Sequence, residues 1–515
     1  MTTMTEYDVV VAGAGPVGLF LGCELGLGGA RVLVVERLTE VDETIKAGAV
    51  NVPSAVSFYR RGLLPELSAV WEAAQERMRA FRESGRLGDW GKLPPKFAGH
   101  FAGITMDPDL FDGSDPAWAD AGPAGGMGLG VPQAELERIL GRRAAQLGVE
   151  VRRGVELTGF DAGEQGVAVH TGEGTIRAGW LVGCDGGRST VRKLAGFDFP
   201  GTDPEITGYQ AVVEMSGGER LGTGWNTTEV GTYVHGPFPG RILSVEFDGP
   251  PADRSAPITA EELQASLRRV AGVPEATIDK VITATRFTDN ARQATDYRKG
   301  RVLLAGDAAH VHSPFGGQGL NLGIGDAMNL GWKLAAVIRG TAPESLLDSY
   351  TAERHPIGAW VLDWTRAQIA VMRPDRHARA LRRVVTDLAL TTAGTTYLVT
   401  KISGIWQRYD LPGDHPLTGA SAPDLVLADG SRLGDHLHTG RALLLDLADD
   451  AGLRARAEGY GDRLEVRTLA CPDRPELKAL FLRPDGFVAW AAEDEGGKGL
   501  PESLERWLGM PYVTA

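Results

Sequence analysis

The residues best suited to chemistry in this chain of 515 are glycines and carboxylates placed where apolar runs end. Gly13, Gly15 and Gly18 follow Tyr7-Asp8-Val9-Val10-Val11-Ala12, and Glu36 closes a second run, Arg31-Val32-Leu33-Val34-Val35, 23 residues after Gly13. This glycine spacing between a strand and a helix, with an acid after the next strand, is a dinucleotide site. Gly13 makes the tight turn, Gly15 leaves the backbone bare for a pyrophosphate, and Gly18 lets the helix pack close to the strand. Pro16 and Val17 open that helix, whose unpaired N–H groups and positive end face the phosphates. Glu36 accepts from ribose hydroxyls and repels a 2′-phosphate, which favours FAD or NAD over NADP as the resident ligand.

Two later segments repeat the pattern of a strand that delivers a polar group at its end. Gly183-Cys184-Asp185-Gly186-Gly187-Arg188-Ser189-Thr190-Val191-Arg192 ends in a tight glycine turn and opens a helix. Gly300-Arg301-Val302-Leu303-Leu304-Ala305-Gly306-Asp307 offers a carboxylate to the hydroxyls of a sugar chain such as ribityl. Pro314-Phe315-Gly316-Gly317-Gln318-Gly319-Leu320-Asn321-Leu322 then starts a helix running through Asp326 and Trp332. Its free backbone N–H groups suit an anionic ring edge, as a reduced flavin presents.

The elements that must position these residues follow from periodicity. Residues 133–148 read as an amphipathic helix because Leu136, Ile139 and Leu140 share one face. Strands are expected at 149–153, 166–170 and 179–184. Residues 85–128, rich in Gly, Pro, Asp and aromatics, read as part of a separate lobe. Alternating segments such as Gly231-Thr232-Tyr233-Val234-His235 and Ile242-Leu243-Ser244-Val245-Glu246-Phe247 predict an antiparallel sheet between 200 and 290, with one face free to roof a ligand. Tyr233, His235 and Arg241 are its candidate substrate groups. Gly125 to Gly130 reads as a flexible linker into the helix at Gln133, since no strand precedes it.

Composition excludes several classes. A formal charge of −14 argues against nucleic acid and against a basic membrane face. The apolar stretch 7–35 carries Asp8, Glu24 and many glycines, so it does not read as a span. Cys23, Cys184 and Cys471 are scattered, which excludes a disulfide framework and suits a reducing, cytoplasmic compartment; no signal peptide is read. His310 and His312 lack a third ligand at useful spacing, so no metal is expected. No nucleophilic Ser or Cys and no acid–base dyad stands out.

Together, Gly13-Ala14-Gly15-Pro16-Val17-Gly18, Cys184-Asp185-Gly186-Gly187-Arg188-Ser189, Ala305-Gly306-Asp307-Ala308-Ala309-His310 and Gly316-Gly317-Gln318-Gly319-Leu320-Asn321 resemble the FAD-dependent aromatic hydroxylases of the para-hydroxybenzoate hydroxylase superfamily. Gly99-His100-Phe101-Ala102-Gly103, Gly196-Phe197-Asp198-Phe199-Pro200-Gly201, Ala291-Arg292-Gln293 and Arg483-Pro484-Asp485-Gly486-Phe487-Val488-Ala489-Trp490 narrow the likeness to the actinobacterial angucycline and anthracycline hydroxylases. The resemblance covers nearly the whole chain. It implies an α/β fold with a Rossmann-like FAD domain (1–84, 129–198 and 291–410), a substrate domain (85–128 and 199–290) and a thioredoxin-like domain (411–515). Cys471 stands alone in that last lobe, so thiol redox chemistry is not expected of it.

The resemblance also implies roles. Glu36 would hold the adenosine ribose, Gln133 would contact the flavin's sugar-phosphate chain and Asp307 would bind the ribityl hydroxyls, with Arg37 and Val155 as further cofactor-binding residues. Pro314 would form the wall beside the ring, with Gly317 and Gly319 at the helix start and backbone N–H groups of Leu320 and Asn321 on the pyrimidine edge. Asp185 and Arg188 would brace the flavin loop and the path of the nicotinamide. Lys46 stands where many relatives carry arginine, keeping the charge but losing the planar fork. The implied reaction is hydroxylation of a polycyclic phenol or quinone with O2 and NADPH or NADH through a flavin hydroperoxide. Baeyer–Villiger oxygen insertion or inactivation of an aromatic antibiotic is the alternative; flavin halogenation is disfavoured because W-x-W-x-I-P is absent. A homodimer is an assembly the resemblance allows.

Overall fold

A computed structural model describes residues 6–83, 99–126, 128–236, 240–254 and 256–512. Residues 85–98 of the expected substrate lobe lie outside the described residues.

Val9, Val10 and Val11 are wholly buried, as expected of a parallel strand covered on both faces. Their strand, Tyr7–Ala12, sits centrally in an eight-stranded sheet. Val32–Glu36 and then Glu150–Arg153 lie on one side; Gly174–Gly183, Val302–Leu304 and Arg298–Lys299 lie on the other. All neighbours among the five strands from Val302–Leu304 across to Glu150–Arg153 run parallel. The C-terminal ends of Tyr7–Ala12, Gly174–Gly183 and Val302–Leu304 therefore open on one edge, the edge at which such sheets bind ligands. Gly174–Gly183 begins earlier than its apolar residues suggest, because its polar first half forms a hairpin with Gly166–Thr171.

The helix Pro16–Leu27 is apolar all round and lies between the sheet and the helix Gln318–Ile338. That close approach explains Gly18, where a Cβ would stand 1.9 Å from the Gly13 carbonyl oxygen. The segment expected to be a flexible linker before Gln133 is instead tied down. Leu129 forms an antiparallel bridge with Val50, and Gly128 has φ +92° so that the chain can pass the Val50 carbonyl.

A second sheet has the antiparallel order Gly224–Thr227, Gly231–His235, Arg241–Glu246, Thr207–Ser216, Thr277–Phe287. The helix Ala260–Ala271, capped by Thr259, covers one face through Leu263, Leu267 and Val270. Alternation along each strand sends Gln210, Trp225, Arg241, Leu243, Thr285 and Phe287 to the other face, where they line a cavity. Tyr233 and His235 have the opposite phase. Tyr233 packs against the covering helix, and its hydroxyl accepts from Gly222 N at 3.0 Å. His235 shares that side of the strand and is absent from the cavity lining, so neither faces a ligand.

The C-terminal segment forms a four-stranded sheet ordered Leu464–Thr468, Ala442–Asp446, Ala479–Leu482, Val488–Ala492. One of its two apolar faces packs on Leu322, Trp332 and Ile357 from the helices Gln318–Ile338 and Asp348–Met372. No helix among the described residues is long and apolar enough to cross a membrane.

Candidate active site

Between the ligand edge of the large sheet and the open face of the second lies one continuous cavity of about 1320 Å³. A drug-sized ligand fills roughly 300–1,000 Å³, so the space suits two ligands side by side. Gly13 has φ +105°, and a Cβ there would meet the Cys184 carbonyl oxygen at 2.4 Å. Gly15 is different, since a Cβ on it would touch no protein atom within 4 Å and would project into the cavity. No protein neighbour requires a bare backbone here, and a pyrophosphate would fit against it. The helix start beside it, capped by Gly15 without a side-chain bond, keeps its first N–H groups free for an anion.

Glu36 stands at the end of its strand. Its carboxylate accepts from Ala14 N and Leu38 N, both at 2.9 Å, which aims it across the turn into the cavity. Arg37, Gln133 and Val155 line the same region. Val155 N donates to the Glu36 carbonyl, and Gln133 donates from its side chain to Glu137 at 2.9 Å. Burial raises the Glu137 pKa, with Gln133 opposing the rise.

Asp307 opens onto the cavity and takes no hydrogen bond from any described residue. Its side chain is exposed to the open cavity, and the protein packed around the turn still raises its pKa by partial desolvation. Such a carboxylate lacks a partner, and sugar hydroxyls would supply one. The turn that carries it is held from beneath. Buried Asp326 accepts from Gly306 N at 3.0 Å, pairs with His310 Nε2 at 2.6 Å and takes Arg354 Nε at 2.9 Å. His310 is thus a brace for the turn. His312 bonds its neighbour's Ser313 carbonyl through Nδ1 at 2.8 Å, and burial pulls its pKa to about 4.

The helix Gln318–Ile338 begins at Gly317, in left-handed conformation and with no side-chain cap. Its first-turn N–H groups, Gly319 and Leu320 among them, face the cavity. Asn321 uses its side chain elsewhere, donating to Ala49 O at 3.0 Å and accepting from Asn51 N at 2.9 Å. It thereby holds the segment carrying Lys46 over the cavity. Gln210 and Thr285 fix the same segment by donating to Ile45 O at 3.0 and 3.1 Å. Lys46 pairs with Asp42 at 2.8 Å. Against the upward pull of burial, Lys46 and Thr44 hold Asp42 at about 2. Asp185 accepts from Thr190 N and Val191 N at 2.6 and 3.1 Å, shaping the turn on which Arg188 reaches the cavity.

Of the three substrate candidates, Arg241 lines the cavity. Desolvation lowers its pKa, and no described residue pairs with it. Aromatic rings complete the wall. Phe315 meets Trp225 and Phe287 edge-on at 6.1 and 5.7 Å. Trp225 and Phe287 went unread in the sequence because only strand pairing sets them on the open face. Pro314 stands beside them on the flavin-motif side.

An open seat at Gly15, an unpartnered carboxylate at Asp307 and two uncapped helix starts fit FAD. Residues 6–365 match the FAD binding domain family, and residues 415–511 match the aromatic-ring hydroxylase C-terminal domain. The chain belongs to the FAD-dependent aromatic-ring hydroxylases. This hydroxylase is 41% identical over 536 residues to the 12-dehydrotetracycline 5-monooxygenase/anhydrotetracycline 6-monooxygenase of Streptomyces rimosus subsp. rimosus, covering 99% of this chain and 100% of that one. The rifampicin monooxygenase of Streptomyces venezuelae is 40% identical over 511 residues, covering 98% and 99%. The solved structure of OxyS anhydrotetracycline hydroxylase from Streptomyces rimosus gives a TM-score of 0.83 at 39% identity, covering 98% of this chain and 99% of that one. The hydroxylase is an FAD-dependent monooxygenase, and NAD(P)H is the reductant typical of its family.

Proposed function

We propose that this enzyme places one oxygen atom from O2 on a polycyclic phenol or quinone of polyketide type. The observation that carries the reading is the single cavity joining the flavin motifs to a wall of Trp225, Leu243, Phe287 and Phe315. Flat apolar walls with few polar groups suit a fused-ring substrate.

In this reading Glu36 holds the ribose, Gln133 the sugar-phosphate chain and Asp307 the ribityl hydroxyls. Gly319 and Leu320 offer N–H groups to the pyrimidine edge, Gly317 shapes the helix start with its own N–H donated to Pro314 O at 3.1 Å, and Pro314 limits where the ring can lie. FAD, once bound and reduced by NADPH or NADH, supplies the activation of oxygen. The protein's share is position and dryness. Trp225, Phe287 and Phe315 exclude water from the reacting face. Arg241, charged and without a protein partner, holds the anionic oxygen that makes a phenol carbon nucleophilic. Lys46 and Arg188 serve the reductant's approach.

The pairing of Ala442–Asp446 parallel to Leu464–Thr468 and antiparallel to Ala479–Leu482 supports a thioredoxin-like reading of the C-terminal lobe. Its free, buried Cys471 has no partner for redox chemistry, and three free cysteines support a reducing compartment such as the cytoplasm.

The test is mass spectrometry under labelled O2 with NADPH or NADH and a panel of angucyclinones, anthracyclinones and smaller phenols. A hydroxylated product carrying one label is expected. A labelled lactone would redirect the reading to Baeyer–Villiger insertion, and no stimulated NAD(P)H oxidation across the panel would end it.

A further inference from the structure

We propose that His100 is a substrate-binding residue of this site, a neutral hydrogen-bond donor that selects the ionised, phenolate or enolate, form of the substrate. The proposal rests on the hydroxylase reading and names the form of substrate which that cavity takes.

His100 begins a hairpin, His100–Phe101 against Ile104–Thr105, whose corners Ala102 and Gly103 both have positive φ, +52° and +75°. Glycine at the second corner is required by space as well, since a Cβ there would lie 2.7 Å from the Trp225 ring. Ala102 has a side chain that resists this conformation, and strained backbone of this kind persists only where its surroundings impose it. They do so here. Ala102 N donates to Gln368 Oε1 at 3.0 Å, and Arg382 donates to Ala102 O at 2.6 Å. The same Gln368 donates to Phe315 O at 3.1 Å, which ties the hairpin to the segment beside Pro314.

The hairpin orients His100 in two ways. Its ring packs on Trp225 with centroids 4.3 Å apart and lines the cavity. Gly103 N donates to His100 Nδ1 at 3.3 Å, so Nδ1 is the acceptor and the ring proton sits on Nε2. Burial, and secondarily the Arg382 charge, hold its pKa down to about 4, which keeps the ring neutral. A neutral ring with Nδ1 occupied can only donate through Nε2. A phenol hydroxyl needs an acceptor to lose its proton to, whereas an oxyanion needs donors. Arg241, on the same cavity wall and unpaired among the described residues, adds the positive charge. His100 is therefore a binding group for the oxyanion and not the base that creates it.

The probe is alizarin, whose anion absorbs to the red of oxidised flavin, titrated into the FAD-loaded protein. The wild type is expected to bind the anion. His100→Phe keeps the stacking on Trp225 but loses the donor, and should bind the anion at least tenfold more weakly. His100→Gln restores an N–H donor and should recover most of the loss. FAD content and circular dichroism check folding, and His100→Leu replaces His100→Phe if that variant fails to fold. Anion binding by the donorless variant equal to wild type overturns the proposal, as does a His100→Gln no better than it, or a wild type that binds only neutral dye. A wild type that binds alizarin in neither form overturns the hydroxylase reading of the cavity and this inference with it.

Discussion

Arg483 and Glu353 join the C-terminal lobe to the long helix Asp348–Met372 through two hydrogen bonds, each of 2.8 Å. Arg483 has no exposed surface and also grips Asp485, while Glu353 takes Asn329 at 2.6 Å and Lys333 at 3.0 Å. The next residue, Arg354, holds Asp326 under the Asp307 turn. A buried charge left alone is expensive, so Arg483→Met should cost about 3–5 kcal/mol of stability: Lys333 still neutralises Glu353, but buried Asp485 loses its salt-bridge partner. Urea denaturation of the FAD-loaded protein measures it. A loss under about 0.5 kcal/mol, the range of ordinary surface changes, would refute a structural role for the pair.

The same pair sets an acid limit. Burial would raise Glu353, but Arg483 and Lys333 overcome it and hold the carboxyl at about 2. A depressed carboxyl stabilises the fold above its unfolded pKa of roughly 4.3, and that contribution fades as pH falls from there towards the folded value. Wild type should lose stability steeply over this window, and Glu353→Gln should show a shallower slope. Parallel slopes in denaturation series from pH 6 to pH 3 would contradict the assignment.

The flavin half of the site was legible because its chemistry is local. Gly13, Gly15, Asp185 and Asp307 each sit where a strand ends, and a few adjacent residues announce the turn. The substrate half was not. Whether Tyr233 or Arg241 faces the ligand depends on which face Ala260–Ala271 covers, and that helix lies beyond both strands in the chain. Period-2 alternation identifies two faces without saying which is buried. His100 was visible only as part of a family motif. Its orientation comes from Trp225 and Gln368, far along the chain, and no local spacing encodes such contacts.

Asp307 should govern retention of the cofactor. Asp307 is open to the cavity and would be covered only by the bound cofactor; an acceptor lost from a contact so covered costs about 1–3 kcal/mol, roughly 5- to 150-fold in affinity. Asp307→Ala should fold yet purify largely colourless, and should regain yellow only at high added FAD. The ratio of flavin to protein absorbance reads the outcome, and full occupancy after dilution would remove Asp307 from the site.

Lys46 should separate holding FAD from reducing it. Its ammonium pairs with Asp42 at the cavity edge, 41% exposed, which suits a group that meets an incoming anion better than one that anchors a resident ligand. Lys46→Ala should keep its FAD while stopped-flow reduction by NADPH slows about tenfold, equivalent to ~1.4 kcal/mol of barrier. Reduction at the wild-type rate would exclude it.

Gly13 and Gly15 stand two residues apart and should fail in opposite ways. At Gly13 an added methyl meets the Cys184 carbonyl at 2.4 Å and must adopt φ +105°, so Gly13→Ala should destabilise the apoprotein itself by about 1–3 kcal/mol. Gly15 has φ −70°, ordinary for any residue, and its added methyl meets no protein atom within 4 Å. Reduced freedom of the unfolded chain favours Gly15→Ala by about 0.4–1 kcal/mol, while alanine's poorer helix capping opposes it. Apoprotein stability should therefore stay near wild type, yet the methyl occupies the seat assigned to the pyrophosphate. Thermal unfolding of both apoproteins, paired with fluorescence titration of FAD, distinguishes the two. Gly15→Ala should bind FAD at least tenfold more weakly with an unchanged unfolding temperature, and wild-type affinity in that variant would mean the phosphates lie elsewhere.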